Sequence, residues 1–233
     1  MATAAILTIG NEIVSGDVAN TNATWLAKRL EQLGVRVRSI SALPDEIDEV
    51  AHFVREQAPA FDFLLVTGGL GGTPDDLTRE ALAAAFGVEQ REVPEVAAKL
   101  RARFTRDPEY AARWALLPEG SRPLENPRGG APGFVIENVY VLPGLPSEME
   151  KMFDEIADEF GVGPPIGSWR RTYRTRESEI AALLAEATER WPDVLVGSYP
   201  RFDPSGPEVD VVLKSSDERA LRDAASFVEQ RLG

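Results

Sequence analysis

The sequence predicts an α/β protein, with a mostly parallel sheet covered by helices on both faces over residues 1–163 and a small α+β subdomain over 164–233. Three observations lead there. Short apolar runs alternate with segments whose apolar residues recur at helical spacing, as strands and crossover helices do in a parallel sheet. The stretch from Gly161 to Gly167, with Pro164 and Pro165 inside it, reads as a linker. Beyond it the order changes to βαββα, a small sheet with helices on one side.

Each element has its own signal. Ala4 to Ile9 is an apolar run ending at Gly10, and Leu26, Leu30 and Leu33 mark a helical face that stops at Gly34. Val35 to Ile40 alternates as a strand does, and Ile47, Val50, Ala51 and Val54 line one face of a second helix. Phe61 to Thr67 is a third strand, and the glycines after it lead into a helix expected from Pro74 to about Phe86. Pro94 to Arg113 reads as helical and Pro118 to Gly133 as a long loop rich in proline and glycine. Phe134 to Ile136 and Val139 to Leu142 read as paired strands turning at Glu137 and Asn138, and Ser147 with Glu150 as a capping box opening a helix to about Phe160. After the linker come a strand over Trp169 to Arg174, a helical face of Ile180, Leu183, Leu184 and Ala187, and strands over Val194 to Tyr199 and Glu208 to Leu213. A final helix carries Leu221, Ala224, Ala225 and Val228.

Composition narrows the chemistry. The absence of cysteine excludes disulfides, thiolate metal sites and cysteine nucleophiles, and a single histidine, His52, excludes a multi-histidine centre, so a metal must sit on oxygen. His52 lies beside the apolar positions of its helix and reads as packing or surface. A net charge of −13 argues against a nucleic-acid partner, which is bound mainly through clustered cations. Lysine occurs only at 28, 99, 151 and 214 while acids are plentiful, which suits a solvated, halophile-like acidic surface in a salty cytoplasm. No stretch reaches the roughly 18 apolar residues of a membrane span, and the start lacks a signal-peptide pattern, so no membrane partner and a cytoplasmic location are expected.

The most informative segment runs from Thr67 through Gly68, Gly69, Leu70, Gly71, Gly72 and Thr73 to Asp75 and Asp76. Glycines after a strand let backbone amides approach an anion, and a following helix adds its free N–H groups and positive dipole end. It is neither a Walker loop nor a G-x-G-x-x-G fingerprint. Two carboxylates beside a bound phosphate require a cation between them, so the segment implies Mg²⁺ or a similar hard ion held by Asp76 and Asp75, with Glu12 as a further ligand. In the purely structural alternative Thr73 caps the helix, Pro74 takes its first position and both acids complement the dipole.

Loops leaving the carboxyl ends of parallel strands share one crevice, which adds Gly10, Asn11, Glu12, Ser15 and Gly16 from the first loop. Asn22, at the start of the next helix, suits a ribose or base, with Asn20 or Thr21 as the cap. Asn126 and Arg128 in the long loop, and Gly144 with Ser147 after the last strand of the sheet, complete the candidates. Ser147 has no histidine near it in sequence, which disfavours a serine hydrolase.

Together these segments resemble the molybdopterin-binding fold family, above all the CinA N-terminal domain and the related domain of FAD synthases. The matching motifs are Thr8 to Gly16, Thr21-Asn22, Gly68 to Thr78, Leu117 to Gly120, Asn126 to Gly133 and Leu142 to Met149, in the family's order over about the first 150 residues. Ser198 to Arg201 and Val209 to Lys214 resemble the small C-terminal segment of the archaeal and FAD-synthase branches. The resemblance implies a three-layer α/β/α domain acting, with a divalent metal, as a pyrophosphatase on FAD or ADP-ribose. Sister branches bind molybdopterin and adenylylate it in molybdenum cofactor biosynthesis. It further implies a small-molecule partner, nucleotide or pterin, and a homo-oligomer. Asp76 is expected to hold the metal, helped by Asp75, while the amides of Gly68, Gly69, Gly71 and Gly72 stabilise the phosphate and Asn22, Asn126 and Ser147 position the nucleotide. Gly72 stands where the CinA branch usually has proline, Gly130 where it often has a hydroxyl residue and Asn20 where it often has aspartate.

Overall fold

The structure, a computed structural model, describes residues 1–161, 163–204 and 206–233, without the side chain of residue 203. It contains two compact units, Met1–Gly163 and Pro164–Gly233. The first begins with β1 (Thr3–Ile9), a single turn α1 (Asn11–Val14), α2 (Thr21–Gln32), β2 (Arg36–Leu43), α3 (Ile47–Gln57), β3 (Phe63–Thr67) and α4 (Thr78–Phe86). Then come β4 (Gln90–Glu92), α5 (Pro94–Arg103), α6 (Pro108–Ala112), β5 (Leu116–Pro118), β6 (Arg122–Leu124), β7 (Gly133–Ile136), β8 (Val139–Leu142) and α7 (Pro146–Ile156).

Six strands form the central sheet in the order β2-β1-β3-β8-β7-β6. The pairs β1–β2, β1–β3 and β3–β8 are parallel, and β7 pairs antiparallel with both its neighbours. Because side chains alternate along a strand, each of the inner strands feeds two cores. Ala5, Leu7 and Ile9 of β1 pack with Leu64, Val66 and Val141 against α3 and α4, through Val50, Val54, Ala81 and Leu82. Ala4 and Ile6 pack with Leu65, Tyr140 and Leu142 against α2 and α7, through Leu26, Leu30, Met152 and Phe153. The expected three-layer α/β/α arrangement is therefore present.

Four local expectations change. The helix after the glycine loop starts at Thr78 rather than Pro74, because Asp76 turns back to accept hydrogen bonds from Gly71 and Thr73 and holds residues 71–76 in a loop. Ser147 and Glu150 form no capping box, since α7 opens two residues earlier, with Leu145 at the cap and Pro146 in the first turn. The helical stretch from 94 to 113 is broken between α5 and α6, where Asp107 caps the second piece. The long loop is not wholly irregular: β6 lies inside it and pairs with β7.

The second unit runs β9 (Gly167–Tyr173), α8 (Glu177–Arg190), β10 (Leu195–Asp203), β11 (Gly206–Ser215) and α9 (Glu218–Leu232), the expected βαββα order. Its sheet is antiparallel in the order β10-β11-β9. Val209, Val211 and Leu213 of β11 pack with Ile180, Leu184, Ala224 and Val228 from the two helices. Of the linker segment, residue 162 lies outside the described residues, and Gly167 already belongs to β9.

Candidate ligand-binding cleft

Loops leaving the carboxyl ends of β1, β2, β3 and β8 surround a cleft of about 580 Å³. The β3 loop forms its floor. Gly68 has φ +107°, and a Cβ there would stand 2.1 Å from the Ile9 carbonyl oxygen, so no side chain fits. Asp76 Oδ1 accepts from the Gly71 amide at 2.8 Å, and Oδ2 accepts from the Thr73 amide at 2.8 Å and its hydroxyl at 2.5 Å. From below, the guanidinium of Arg79, buried at 6% exposure, donates to the carbonyls of Leu70 at 2.7 Å and Gly71 at 3.0 Å. Burial pushes this guanidinium below its ordinary range, against the pull of Glu80 and Asp76. Thr78, at the start of α4, donates its hydroxyl to the Gly68 carbonyl at 2.8 Å.

These bonds decide which amides remain for a ligand. The Gly68 amide donates to Leu142 and the Gly71 amide to Asp76, so both are spent within the protein. That corrects the expectation that all four glycine amides face the ligand. The amides of Gly69, Leu70 and Gly72 have no acceptor among the described residues.

Asn22 braces the opposite wall. Its Nδ2 donates to the Gly144 carbonyl at 2.7 Å and to Thr67 Oγ1 at 3.2 Å, while Thr67 donates to the Pro143 carbonyl at 2.8 Å. Those acceptors fix the orientation of the amide, and they leave Asn22 Oδ1 buried without a partner. The side chain is 8% exposed and lines the cleft. Asn20, rather than Thr21, caps α2 through its side-chain oxygen.

Of the other predicted residues, Gly10, Glu12, Asp75, Asp76 and Gly144 line the cleft. Asn11, Ser15, Gly16, Thr73, Asn126 and Ser147 do not, and most of them have structural work instead. Asn11 exchanges hydrogen bonds with Asp45, Ser15 bonds to Asp17, and Thr73 bonds to Asp76. Asn126 holds its loop through Ala131 and Glu148, and the Ser147 carbonyl accepts from Arg128. His52 is exposed.

Three charged or aromatic lining residues were not among the predicted site residues: Asp45, Trp114 and Glu148. Asp45 follows β2 at the carboxyl end of a parallel strand, the same position that drew attention to Gly10 and Gly68. Glu148 is Ser147's neighbour, about 100° round the helix. Trp114 carries no such signal.

The cleft's charge is one-sided. Glu12, Asp45, Asp75, Asp76 and Glu148 line it, and no described lysine, arginine or histidine does. Asp45's carboxyl is pushed above the usual range by burial, against the Asn11 amide, with Glu12, Asp75 and Asp76 adding to the rise. Asp75's is held below that range by the nearby Thr73 hydroxyl and its own backbone amide. Among the described residues no group of three or more histidines or carboxylates stands ready to hold a metal ion. No described helix is long and apolar enough to cross a membrane.

Comparison with known proteins gives the family of the chain. A family model described as "Probable molybdopterin binding domain" matches residues 5–161, and one described as "FAD synthase, middle domain" matches 172–233. A protein of Archaeoglobus fulgidus is 40% identical over 199 residues, covering 84% of this chain and 85% of its own length. A CinA-like protein of Citrifermentans bemidjiense is 37% identical over 242 residues, and the match takes in 98% of this chain but 58% of that protein. The crystal structure of a CinA protein of unknown function from Thermoplasma acidophilum superposes with a TM-score of 0.64 at 33% identity, over 68% of this chain and 98% of its own.

Proposed function

The chain belongs to the molybdopterin-binding domain family and has CinA-like relatives, and from that premise we propose that its cleft binds a nucleotide pyrophosphate of the FAD or ADP-ribose class and hydrolyses it with a divalent cation. One observation carries this reading. The cleft presents unpaired amides at Gly69, Leu70 and Gly72 beside five carboxylates and no described basic side chain. Amides of that kind suit a phosphate, but the phosphate meets like charge unless a cation enters with it.

Mg²⁺ fits such a site because it is commonly held by one or two carboxylates together with substrate phosphates, rather than by a cage of protein ligands. Asp75 and Glu12 would hold it, and when bound it neutralises phosphate charge and lowers the pKa of the attacking water. The chain's own groups do the rest. The three free amides donate to phosphate oxygens as charge develops there. Asn22 Oδ1 accepts from a ribose hydroxyl or a ring amine, which removes its unpaired state. Asp76, with its three hydrogen bonds, shapes the loop that aims the amides.

The family description favours molybdopterin as the ligand, and a second reading adds transfer of an adenylyl group to it. The N–H groups of a pterin ring suit Asn22 Oδ1 equally well. A noncatalytic domain that only binds such a ligand is the third. One experiment separates them: the purified chain is incubated with FAD, ADP-ribose or ATP, with Mg²⁺ or EDTA, and products are resolved by anion-exchange chromatography. Two monophosphates from FAD or ADP-ribose, lost in EDTA, are expected. Turnover of ATP only when molybdopterin is added would replace hydrolysis by transfer, and binding without any turnover would leave a binding module.

A further inference from the structure

Trp114 lines the cleft, and the reading above makes no use of it. Its indole Nε1–H is buried and has no acceptor among the described residues. Phe104 holds the ring, and a neighbouring bond fixes Gly72. Phe104 packs edge-on against the indole at 5.0 Å between centroids, and Tyr110, one turn earlier in the chain, donates its hydroxyl to the Gly72 carbonyl. Buried donors are nearly always paired, because an unpaired one forfeits its hydration for nothing.

The indole nitrogen stands where a side chain at position 72 would begin. A Cβ placed on Gly72 would lie 2.8 Å from Nε1 and 3.1 Å from Cζ2 of Trp114, too close for either to stay. The Gly72 amide is itself unpaired. Two N–H donors without acceptors, one from the backbone and one from a side chain, thus meet in the wall of an otherwise acidic cleft. A neutral indole donor suits that wall, since it can hold a phosphate oxygen without adding charge.

We propose that the Trp114 indole is a further ligand-binding group of the cleft, donating together with the Gly72 amide to a phosphate oxygen of the nucleotide, and that glycine at 72 is what lets the two meet. This rests on the nucleotide reading of the preceding subsection. The reason for a bare glycine at that place is therefore the ring across from it, since Gly72 is not among the glycines with positive φ.

The test uses ¹⁵N-labelled full chain, Mg²⁺ and α,β-methylene-ADP, a nucleotide that is not cleaved between its phosphates. The four tryptophans give four indole N–H signals, and Trp114→Phe identifies the one from residue 114. On titration that signal is expected to move downfield, as an N–H does on gaining an anionic acceptor. Trp114→Phe keeps a ring against Phe104 but removes the donor, and should weaken binding about tenfold or more with little change in melting temperature. Gly72→Ala should weaken binding similarly beside Trp114 and add little in the Trp114→Phe background, a non-additive cycle.

Wild-type affinity in Trp114→Phe with an unmoved indole signal would overturn the inference and leave the nucleotide reading standing. Failure of the wild-type chain to bind the nucleotide at all would remove both. Additive losses from the two substitutions would overturn the link between Gly72 and Trp114. Should Trp114→Phe fail to fold, the signal shifted in Gly72→Ala assigns residue 114, and the wild-type titration decides alone.

Discussion

At the scale of single residues, Asp75 and Asp76 show how far sequence reasoning reaches. Both are legible as important, because two acids beside a phosphate loop imply a cation, but adjacent positions in the sequence do not tell their roles apart. Asp76 precedes α4 and spends both carboxylate oxygens on loop donors, while Asp75 is exposed at the lining of the cleft. Asp76→Asn would set an amide group against N–H donors, so it should lower stability by about 1–3 kcal/mol and turnover with it. Asp75→Asn should leave stability within about 0.5 kcal/mol and cut metal-dependent turnover by tenfold or more. Melting curves and turnover measured side by side check both, and near wild-type turnover in the Asp75 variant would exclude it as the metal ligand. Asp45 gives a prediction in pH. Its carboxyl is raised in the folded chain, so the native state holds its proton more tightly than the unfolded state, and stability falls as pH rises through the carboxylate range. Asp45→Asn keeps an acceptor for the Asn11 amide and removes that fall. The variant's melting temperature relative to wild type should therefore become more favourable between pH 4 and pH 7, and a constant difference would refute the assignment.

The elements were the most legible level, for a physical reason. Apolar periodicity records burial, and the longer strands and helices that feed the two cores of the sheet announced themselves, from Ala4–Ile9 of β1 to Leu26 and Leu30 of α2. The shortest elements were missed, even where they reach a core, as Leu117 of β5 and Leu124 of β6 do. β4, β5 and β6 have three residues each, too few for a period to show. The start of α4 was misjudged because proline and two acids imitate a first helical turn, and only the long-range geometry of Gly71 and Asp76 reveals the loop. Arg79 and Thr78 could not be singled out, since their partners are backbone carbonyls nine and ten residues away. Their role is testable at this scale. Thr78→Val preserves shape and deletes the hydroxyl that binds the Gly68 carbonyl, leaving a buried acceptor unpaired. A loss of about 1–3 kcal/mol is expected, read as a melting temperature lower by about 2–4 °C per kcal/mol. Weaker nucleotide binding should accompany it, and an unchanged melting temperature would show that the bond does not hold the loop.

For the whole molecule, composition speaks about solvent more than about shape. A net charge of −13 with only four lysines leads to the expectation of greater stability in molar salt than in dilute buffer, and an unfolding curve indifferent to salt would count against it. The same charge, together with an acid-lined cleft, has a consequence for the speed of capture. On the proposed reading, an anionic nucleotide approaching this chain would be repelled at long range and received only at the last few ångströms, at the free amides. Its encounter rate should therefore climb as salt shortens the Debye length from about 10 Å at 0.1 M to about 3 Å at 1 M, the reverse of what steering by a basic surface produces. Stopped-flow mixing with α,β-methylene-ADP at fixed Mg²⁺ would show whether the association rate climbs this way. If it does, high salt opens this cleft to such a ligand as well as sheltering the fold.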